Sequence, residues 1–327
     1  MSNVEREPAE LRCGGVAAAD PEPELLRPRT VPLGGPRALM VGRTLPNRDR
    51  RMVGAWCFAD FYGPADIAGQ AGMQVPPHPH TGLQTVSWLL EGEVLHRDSL
   101  GNAQLIRPGE LNLMTAGNGI SHSEESPSDH SPILHGAQLW VALPAERRAI
   151  DPHFEHHGDL PEVPTPEGHV TVIMGELLGA SSPARTYTPL IGAEITVNPG
   201  AELRVPVRRD FEHAVLALSD GLVVNGHEVA TGEMLYAGLG CAEIAVGPGR
   251  ALLLGGVPFE EQIVMWWNFV GRSHDEVAEA RATWERSRVD EDDAARFGIV
   301  RGYDGPPLAA PELPNVALRA RGRTRRD

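Results

Sequence analysis

Two short histidine-containing motifs are the parts of this chain best suited to chemistry. The first, PPHPHTG, places His78 and His80 two residues apart. On an extended strand such side chains point to the same face, roughly 6.5–7 Å apart along the backbone. Pro76, Pro77 and Pro79 hold the backbone extended and remove hydrogen-bond donors, which predicts a position at a sheet edge or barrel mouth. Two imidazoles held in this way form half of a metal site.

The second motif, GNGISHSEESP, supplies the other half. His122 and Glu124 repeat the two-residue spacing, and the turn from Gly117 to Gly119 lets the chain reverse just before them. Three imidazoles and one carboxylate suit Fe(II), Mn(II), Ni(II) or Zn(II), and an octahedral ion then keeps positions open for substrate or dioxygen. Either pair alone could be an unrelated surface or core pair. Two such pairs, each beside a turn in a β context, predict a shared site.

The elements that must position these motifs are short β-strands. Apolar runs alternate with Gly and Pro turns, as in TVSWLLEGEVLHRDSLGNAQLIRPGELNLMTAGNG. The period-two spacing of Val86, Trp88 and Leu90 predicts a strand, DSLGN a hairpin tip and RPGE the next turn. Strands of about five residues at about ten-residue spacing predict an all-β barrel or sandwich. A helical pattern occurs only late, in SHDEVAEARATWERSR, where Ser273 or His274 could cap the helix.

A weak internal repeat divides the chain. LQTVSWLLEGEV (83–94) is similar to EHAVLALSDGLV (212–223), and PGELNLMTAGNG (108–119) is similar to TGEMLYAGLG (231–240). Two similar β-domains follow from this repeat, joined near the polar, Pro-rich stretch 155–168.

The repeat also predicts that the second domain holds no metal. The positions opposite the four metal-binding residues are Val207, Arg209, Glu243 and Ala245, and only the glutamate among them could bind a cation. The predicted divisions are a flexible tail at 1–30, a metal-binding domain at 31–158, a metal-free domain at 159–304 and a flexible basic tail at 305–327.

Charge balance and the lack of long apolar runs exclude several classes of protein. The 327 residues include 44 acidic and 29 basic side chains, and the net charge of -15 disfavours direct contact with nucleic acid. No run approaches about 18 apolar residues, and the acidic start has no signal-peptide pattern, so we expect a cytoplasmic protein without a membrane span. Cys13, Cys57 and Cys241 are too widely spaced for a disulfide framework or a thiolate metal site. Five arginines between Arg319 and Arg326 are interpreted as part of a solvated tail.

Beyond these patterns, the chain resembles the pirin branch of the cupins. GMQVPPHPHTG fits the first cupin signature, in which five residues separate a glycine from His-x-His. The stretches HPHTGLQTVSWLLEGEVLHRDSLGN and RPGELNLMTAGNGISHSE are similar to pirins, and the likeness extends over residues 35–304. It implies a bicupin fold of two jelly-roll β-barrels face to face, with a few short helices near the C-terminus. Carried over by position, it implies a metal in the N-terminal barrel on His78, His80, His122 and Glu124, most often iron.

The resemblance leaves three hypotheses for function. Several pirins show quercetin 2,3-dioxygenase activity, which implies an iron dioxygenase that takes a flavonol-like aromatic substrate and O2, with Glu124 as the base. An animal pirin is a transcription cofactor, which implies instead a regulator without turnover that senses iron redox state and binds a protein partner. A third hypothesis is a cupin enzyme whose substrate is unrelated to flavonols. We expect a monomer in each case.

Two positions near the motifs qualify this picture. Pirins usually have a glutamate four residues after the second histidine, where this chain has Gln84. An amide cannot take a proton at neutral pH, so any acid–base role at this position is weakened. His96 could line the same barrel, but we interpret it as an ordinary strand histidine. Val86 and Trp88, or their neighbours, are expected to shape the pocket.

Overall fold

The computed structural model describes residues 23–32, 39–290 and 295–324. The predictions made for residues 1–22, Cys13 among them, and for residues 325–327 lie outside the described part of the chain. The described part of the chain is all-β, as the strand-and-turn pattern predicts. Its helical part is one 17-residue helix, where a few short helices were expected. The strands of the first half are β1 (Glu24–Leu26), β2 (Arg29–Pro32), β3 (Met40–Leu45), β4 (Trp56–Asp66), β5 (Gln74–His80), β6 (Leu83–Glu91), β7 (Val94–Asp98), β8 (Ala103–Ile106), β9 (Leu111–Thr115), β10 (Ile120–Glu125), β11 (Ile133–Ala142) and β12 (His153–His157).

Two antiparallel sheets build the first barrel. The larger has the strand order β12-β9-β6-β11-β4-β3-β2, and the smaller has the order β5-β10-β7-β8. The predicted hairpin tip DSLGN joins β7 to β8, and the predicted turn RPGE joins β8 to β9. Because β5 is paired only with β10, the proline-rich motif lies at a sheet edge, where missing backbone donors cost least.

The second barrel repeats this arrangement. The remaining elements are β13 (Glu162–Thr165), β14 (Gly168–Met174), β15 (Glu176–Leu177), β16 (Ala180–Ser181), β17 (Leu190–Val197), β18 (Leu203–Pro206), β19 (Glu212–Ala217), β20 (Leu222–Val224), β21 (His227–Val229), β22 (Met234–Leu239), β23 (Glu243–Val246), β24 (Gly249–Gly256), β25 (Val264–Trp266), β26 (Phe269–Gly271) and α1 (His274–Asp290). The larger sheet of this barrel has seven strands in the order β1-β22-β19-β24-β17-β14-β13, and the smaller sheet has the order β18-β23-β20-β21.

One hydrophobic core spans the two barrels. It unites Trp56 and Trp88 of the first barrel with Leu216 and other apolar residues of the second, all fully buried. The indole of Trp88 donates to Glu194 Oε2 at 2.7 Å, which joins the larger sheets of the two barrels. Burial of each large apolar side chain stabilises the fold by about 1.5–3 kcal/mol, so this shared core ties the barrels together.

The segment after the second barrel returns to the first. β25 and β26 form a hairpin, and Phe269 bridges in parallel to Thr81 at the end of β5. The helix α1 follows, with Ser273 Oγ accepting from the Glu276 amide at 3.2 Å as an N-cap. It packs its apolar face, including Trp284, against this hairpin. No helix among the described residues is long and apolar enough to cross a membrane.

Both predicted tails need correction where the structure describes them. β1 pairs with β22 of the second barrel and β2 with β3 of the first, so residues 24–30 are not a free tail. Near the other end, the Leu308 amide donates to Pro77 O at 2.8 Å, and Arg321 bridges to Ile263. The tails were predicted to be flexible because their sequences show no hydrophobic periodicity. Backbone hydrogen bonds to a distant strand require no such side-chain pattern, so these contacts could not be predicted.

Candidate metal centre

The structure brings three of the predicted site residues together. His78 and His80 project from β5, and His122 from the neighbouring strand β10, where it lies directly opposite His78. One ligand nitrogen from each ring lies within 4.8 Å of the other two, and all three side chains are buried. Ring centroids are 4.4 to 5.0 Å apart. Such a cluster of convergent imidazoles could hold a transition-metal ion.

Local backbone geometry explains how these side chains are held. The predicted turn before β10 contains Gly117 at φ +50°, and a Cβ there would approach Ile150 O to 2.1 Å. Only glycine fits this position. A β-bulge between His122 and Glu124 shifts the register against β5 and redirects the chain next to the site.

Hydrogen bonds indicate which ring nitrogens remain available. His78 Nδ1 lies 2.8 Å from Pro76 O, and since a carbonyl only accepts, Nδ1 carries the proton and Nε2 keeps its lone pair. Nδ1 of His80 and Nε2 of His122 are buried and have no hydrogen-bond partner among the described residues. Buried polar atoms are nearly always paired, so orphaned nitrogens facing a cluster fit a bound cation.

Burial also keeps the cluster neutral. It lowers the pKa of His78 to about 4, against the opposing effect of the Pro76 carbonyl. The pKa values of His80 and His122 lie well below the usual value, chiefly through burial and then through neighbouring imidazoles. A metal binds the unprotonated ring, so these three residues need lose no proton at neutral pH to bind one.

His96 is a hydrogen-bonded strand histidine, as interpreted from the sequence, and it also contacts the cluster through His122. On β7, its Nδ1 lies 3.4 Å from His122 Nδ1, and its Nε2 lies 3.3 Å from Asp98 Oδ2. The carboxylate of Asp98 accepts the Nε2 proton, so His96 Nδ1 can accept from His122 Nδ1. His122 is then left with Nε2 unprotonated and facing the cluster. The ring of His96 is fixed by stacking on Phe154 at 4.6 Å.

Glu124 lines the same cavity as the three imidazoles. Its carboxylate is not among the groups whose ligand atoms all lie within 4.8 Å of one another. Ser87 Oγ lies 3.3 Å from Glu124 Oε1 and 3.0 Å from Gln138 Oε1, so its single proton can serve either acceptor. Burial raises the pKa of the Glu124 carboxyl above its usual range, while His96 and Ser87 oppose this rise. Its place as a fourth ligand stays a prediction.

The cavity around the cluster has a volume of about 580 Å³. Phe58 and Trp140, stacked at 4.0 Å, form one wall. Met265, Trp266 and Trp267 of the returning hairpin form another. Sequence reasoning missed these walls because they come from strands far from the histidine motifs.

The expectation that Val86 and Trp88 of the β6 strand shape the pocket needs correction. Val86 and Trp88 do not line the cavity, because they face the core shared by the barrels, whereas their neighbour Ser87 reaches Glu124. Gln84 is also absent from the lining. Its side-chain amide donates to Thr115 Oγ1 at 2.9 Å and to Arg185 O at 3.1 Å. Position 84 therefore serves packing between strands and loops rather than the chemistry of the centre.

Both halves of the chain are similar to domains of known proteins. The sequence model of the pirin family matches residues 38–141, and that of the pirin C-terminal cupin domain matches residues 192–290. The chain belongs to the pirin family. A Pseudomonas aeruginosa protein named "Putative quercetin 2,3-dioxygenase" is 47% identical over 88% of this pirin and 89% of its own length.

Solved structures agree with this assignment. A quercetin 2,3-dioxygenase from Acinetobacter baumannii is 43% identical, with a TM-score of 0.85 over 91% of this pirin and 97% of that chain. The Escherichia coli pirin YhhW in complex with nickel(II) is 20% identical, with a TM-score of 0.55 over 72% of this chain and 99% of its own, and shows the fold alone. The bicupin architecture expected from the sequence is confirmed.

Proposed function

We propose that this pirin is an iron-dependent dioxygenase that opens a flavonol-like aromatic ring with O2. The observation that carries the proposal is the cluster of three buried, neutral imidazoles at the base of a cavity walled by aromatic side chains. The names of the Pseudomonas and Acinetobacter relatives support it. We assign His78, His80, His122 and Glu124 as the ligands. A bound iron(II) ion would supply the Lewis acidity and redox chemistry that ring opening by dioxygen requires.

The protein residues hold the substrate and move its proton. Phe58, Trp140 and the tryptophans of the returning hairpin offer flat apolar faces for an aromatic ring. Glu124 projects into the same cavity and takes the proton of the substrate hydroxyl as general base. Ser87 Oγ lies within hydrogen-bond distance of one oxygen of this carboxylate. The hairpin forms one wall of the cavity.

Glu124→Gln tests the base role. The amide preserves size and one oxygen donor but removes basicity, and three imidazoles remain to bind iron. We expect turnover to fall by roughly 10²-fold or more, the usual scale for loss of a general base. The measurement is oxygen consumption with quercetin at matched iron occupancy, wild type against variant.

Glu243→Gln is the matched control, because it makes the same substitution at a glutamate of the second barrel that pairs with Arg204 at the surface. It should leave the rate unchanged. Equal rates for Glu124→Gln and wild type would reject the base role. If the wild type itself consumes no oxygen with any member of a phenolic panel, the regulator hypothesis is favoured over the dioxygenase. Metal analysis of protein purified without chelator would identify the ion.

A further inference from the structure

The second barrel contains a cavity of its own. It has a volume of about 540 Å³, within the range of small-molecule sites. The strand ends of β17 and β18, the start of β19 and the β15–β16 hairpin surround it. Its lining combines apolar side chains, among them Leu177, Leu178, Ile191, Val207 and Phe211, with the hydroxyls of Ser181, Ser182 and Thr186 and the imidazole of His213. The repeat places Val207 opposite His78, so this cavity lies in the part of the second barrel that corresponds to the candidate metal centre.

His213 is the unusual member of this lining. Its side chain is buried, with 1% of the residue exposed, and its Nδ1 has no hydrogen-bond partner among the described residues. A Cβ at position 255 would lie 2.8 Å from His213 Cδ2, so the glycine of β24 makes room for the ring. A buried ring nitrogen without a partner is seldom retained unless something hydrogen-bonds to it.

The β15–β16 hairpin closes one side of the cavity. At its turn Leu178 adopts φ +53°, in the left-handed region that leucine rarely enters. Such a conformation persists when surrounding contacts hold it. Here the Leu178 side chain packs against the buried core of the second barrel while also lining the cavity. The hairpin is therefore held as a flap beside the cavity that His213 also lines.

Charges around the cavity favour a neutral occupant. Arg208 also lines the cavity, but its guanidinium pairs with Asp210 and lies 4.3 Å above the Phe211 ring. Glu176 adds a negative charge to the lining. Burial lowers the pKa of His213 to about 4, with Asp210 opposing, so the imidazole is uncharged at neutral pH. No unpaired positive charge in this lining could offset the desolvation of an anion.

We propose that the second barrel binds a neutral small molecule with an apolar part, whose hydroxyl or carbonyl group hydrogen-bonds to His213. The flap and Phe211 contact its apolar part, and the imidazole, which can donate or accept according to its tautomer, fixes its orientation. This site is separate from the metal centre and does not depend on the function proposed for it.

The first experiment uses 2-naphthol as probe and the full-length protein. The Hε1 resonance of His213, assigned by its loss from the spectrum of His213→Gln, reports binding at this cavity rather than at the metal centre. We expect 2-naphthol to shift this resonance saturably, and the anion 2-naphthoate to bind about tenfold more weakly or worse, a difference of about 1.4 kcal/mol. A resonance unmoved up to the solubility limit of 2-naphthol, or equal affinity for the two probes, would overturn the proposal.

Two variants test the site by different routes. His213→Leu removes the hydrogen bond together with the reporter, so its binding is followed through the ring resonances of Phe211, which also lines the cavity. Val207→Trp fills the cavity while keeping the imidazole as reporter. Each should reduce 2-naphthol affinity about tenfold or more, the scale of one lost hydrogen bond to a buried group. His227→Leu, an exposed histidine on β21, is the matched control and should bind as wild type does. If His213→Leu fails to fold, Val207→Trp decides. Unchanged affinity in Val207→Trp means the cavity is not the site.

Discussion

At the scale of single residues, the candidate centre depends on which ring nitrogen of each histidine carries the proton. Pro76 O fixes the proton of His78 on Nδ1, and the chain from Asp98 through His96 does the same for His122. Nitrogens that face the cluster therefore keep their lone pairs before any ion binds. Partners of this kind orient metal ligands and raise their basicity.

His80→Ala tests the assignment of the imidazoles. We expect bound metal to fall severely while the fold persists, because His80 lies at an edge strand and the core of the barrel does not include it. The measurement is metal content after purification, together with circular dichroism. Arg209→Ala, at the opposite position of the repeat, should retain the wild-type metal content. Near-stoichiometric metal in His80→Ala would show that the site lies elsewhere.

His96→Phe tests the hydrogen-bonded chain behind His122. Phenylalanine preserves the ring that stacks on Phe154 but removes both nitrogens. We expect metal affinity to fall roughly 10- to 100-fold, the usual effect of losing a partner of a metal ligand. Competition with a chelator of known affinity measures this. The same substitution at His135, a half-buried histidine outside the cluster, is the control. If both variants bind equally, the chain through His96 has no role in metal binding.

At the scale of elements, the centre is assembled from an edge strand, its neighbour and a distant hairpin. β5 and β10 carry the imidazoles, and the β25–β26 hairpin supplies the tryptophan wall although it follows the whole second barrel in sequence. Trp267 holds φ +50° at the turn of this hairpin, a conformation that costs a tryptophan stability. The turn of the hairpin thus places Trp267 in the cavity lining in a strained backbone conformation.

Trp267→Gly separates the wall from the metal. Glycine adopts this φ without strain, so the hairpin should persist while the aromatic face is lost. We expect metal content to stay at the wild-type level and quercetin affinity to fall about tenfold, in line with the loss of one aromatic contact of roughly 0.5–1.5 kcal/mol. Titration of quercetin under anaerobic conditions measures the affinity. A loss of metal in this variant would mean that the hairpin supports the ligands themselves.

At the scale of the whole molecule, the two barrels share one core and so should unfold together. Trp56 of the first barrel donates its indole N–H to Ile191 O of the second at 3.1 Å, and a Cβ at position 192 would lie 3.0 Å from its ring. Glu212 of the second barrel accepts from the Gly54 amide of the first at 2.9 Å. Such contacts couple the stability of one barrel to that of the other.

Calorimetry tests this coupling. We expect one unfolding transition, whose midpoint rises when iron binds, since a ligand of the native state stabilises the whole cooperative unit. Trp56→Ala should lower the free energy of unfolding by about 3–5 kcal/mol. Leu239→Ala, an exposed site on the second barrel, should change it by about 0.5 kcal/mol or less. Two transitions, only one of them sensitive to iron, would show that the barrels unfold independently.

The order of strands and turns, the division into two similar domains and the pairing of the two histidine motifs could be predicted from the sequence. Each of these is a local pattern: alternation along a strand, a glycine turn, or a two-residue spacing that places side chains on one face. The edge position of β5 also followed from sequence, because prolines at 76, 77 and 79 leave no other place in a sheet. The number of helices and the tails were less well predicted.

The residues that surround the imidazoles could not be predicted from the sequence, because they come from distant parts of the chain. His96 lies next to His122 because their strands pair. Trp266 and Trp267 line the cavity although they follow His122 by more than 140 residues in the sequence. Which face of β6 meets the cavity depended on where the second barrel packs, so Ser87 rather than Trp88 reaches Glu124. Cross-strand register and packing between barrels are long-range contacts, and no local spacing encodes them.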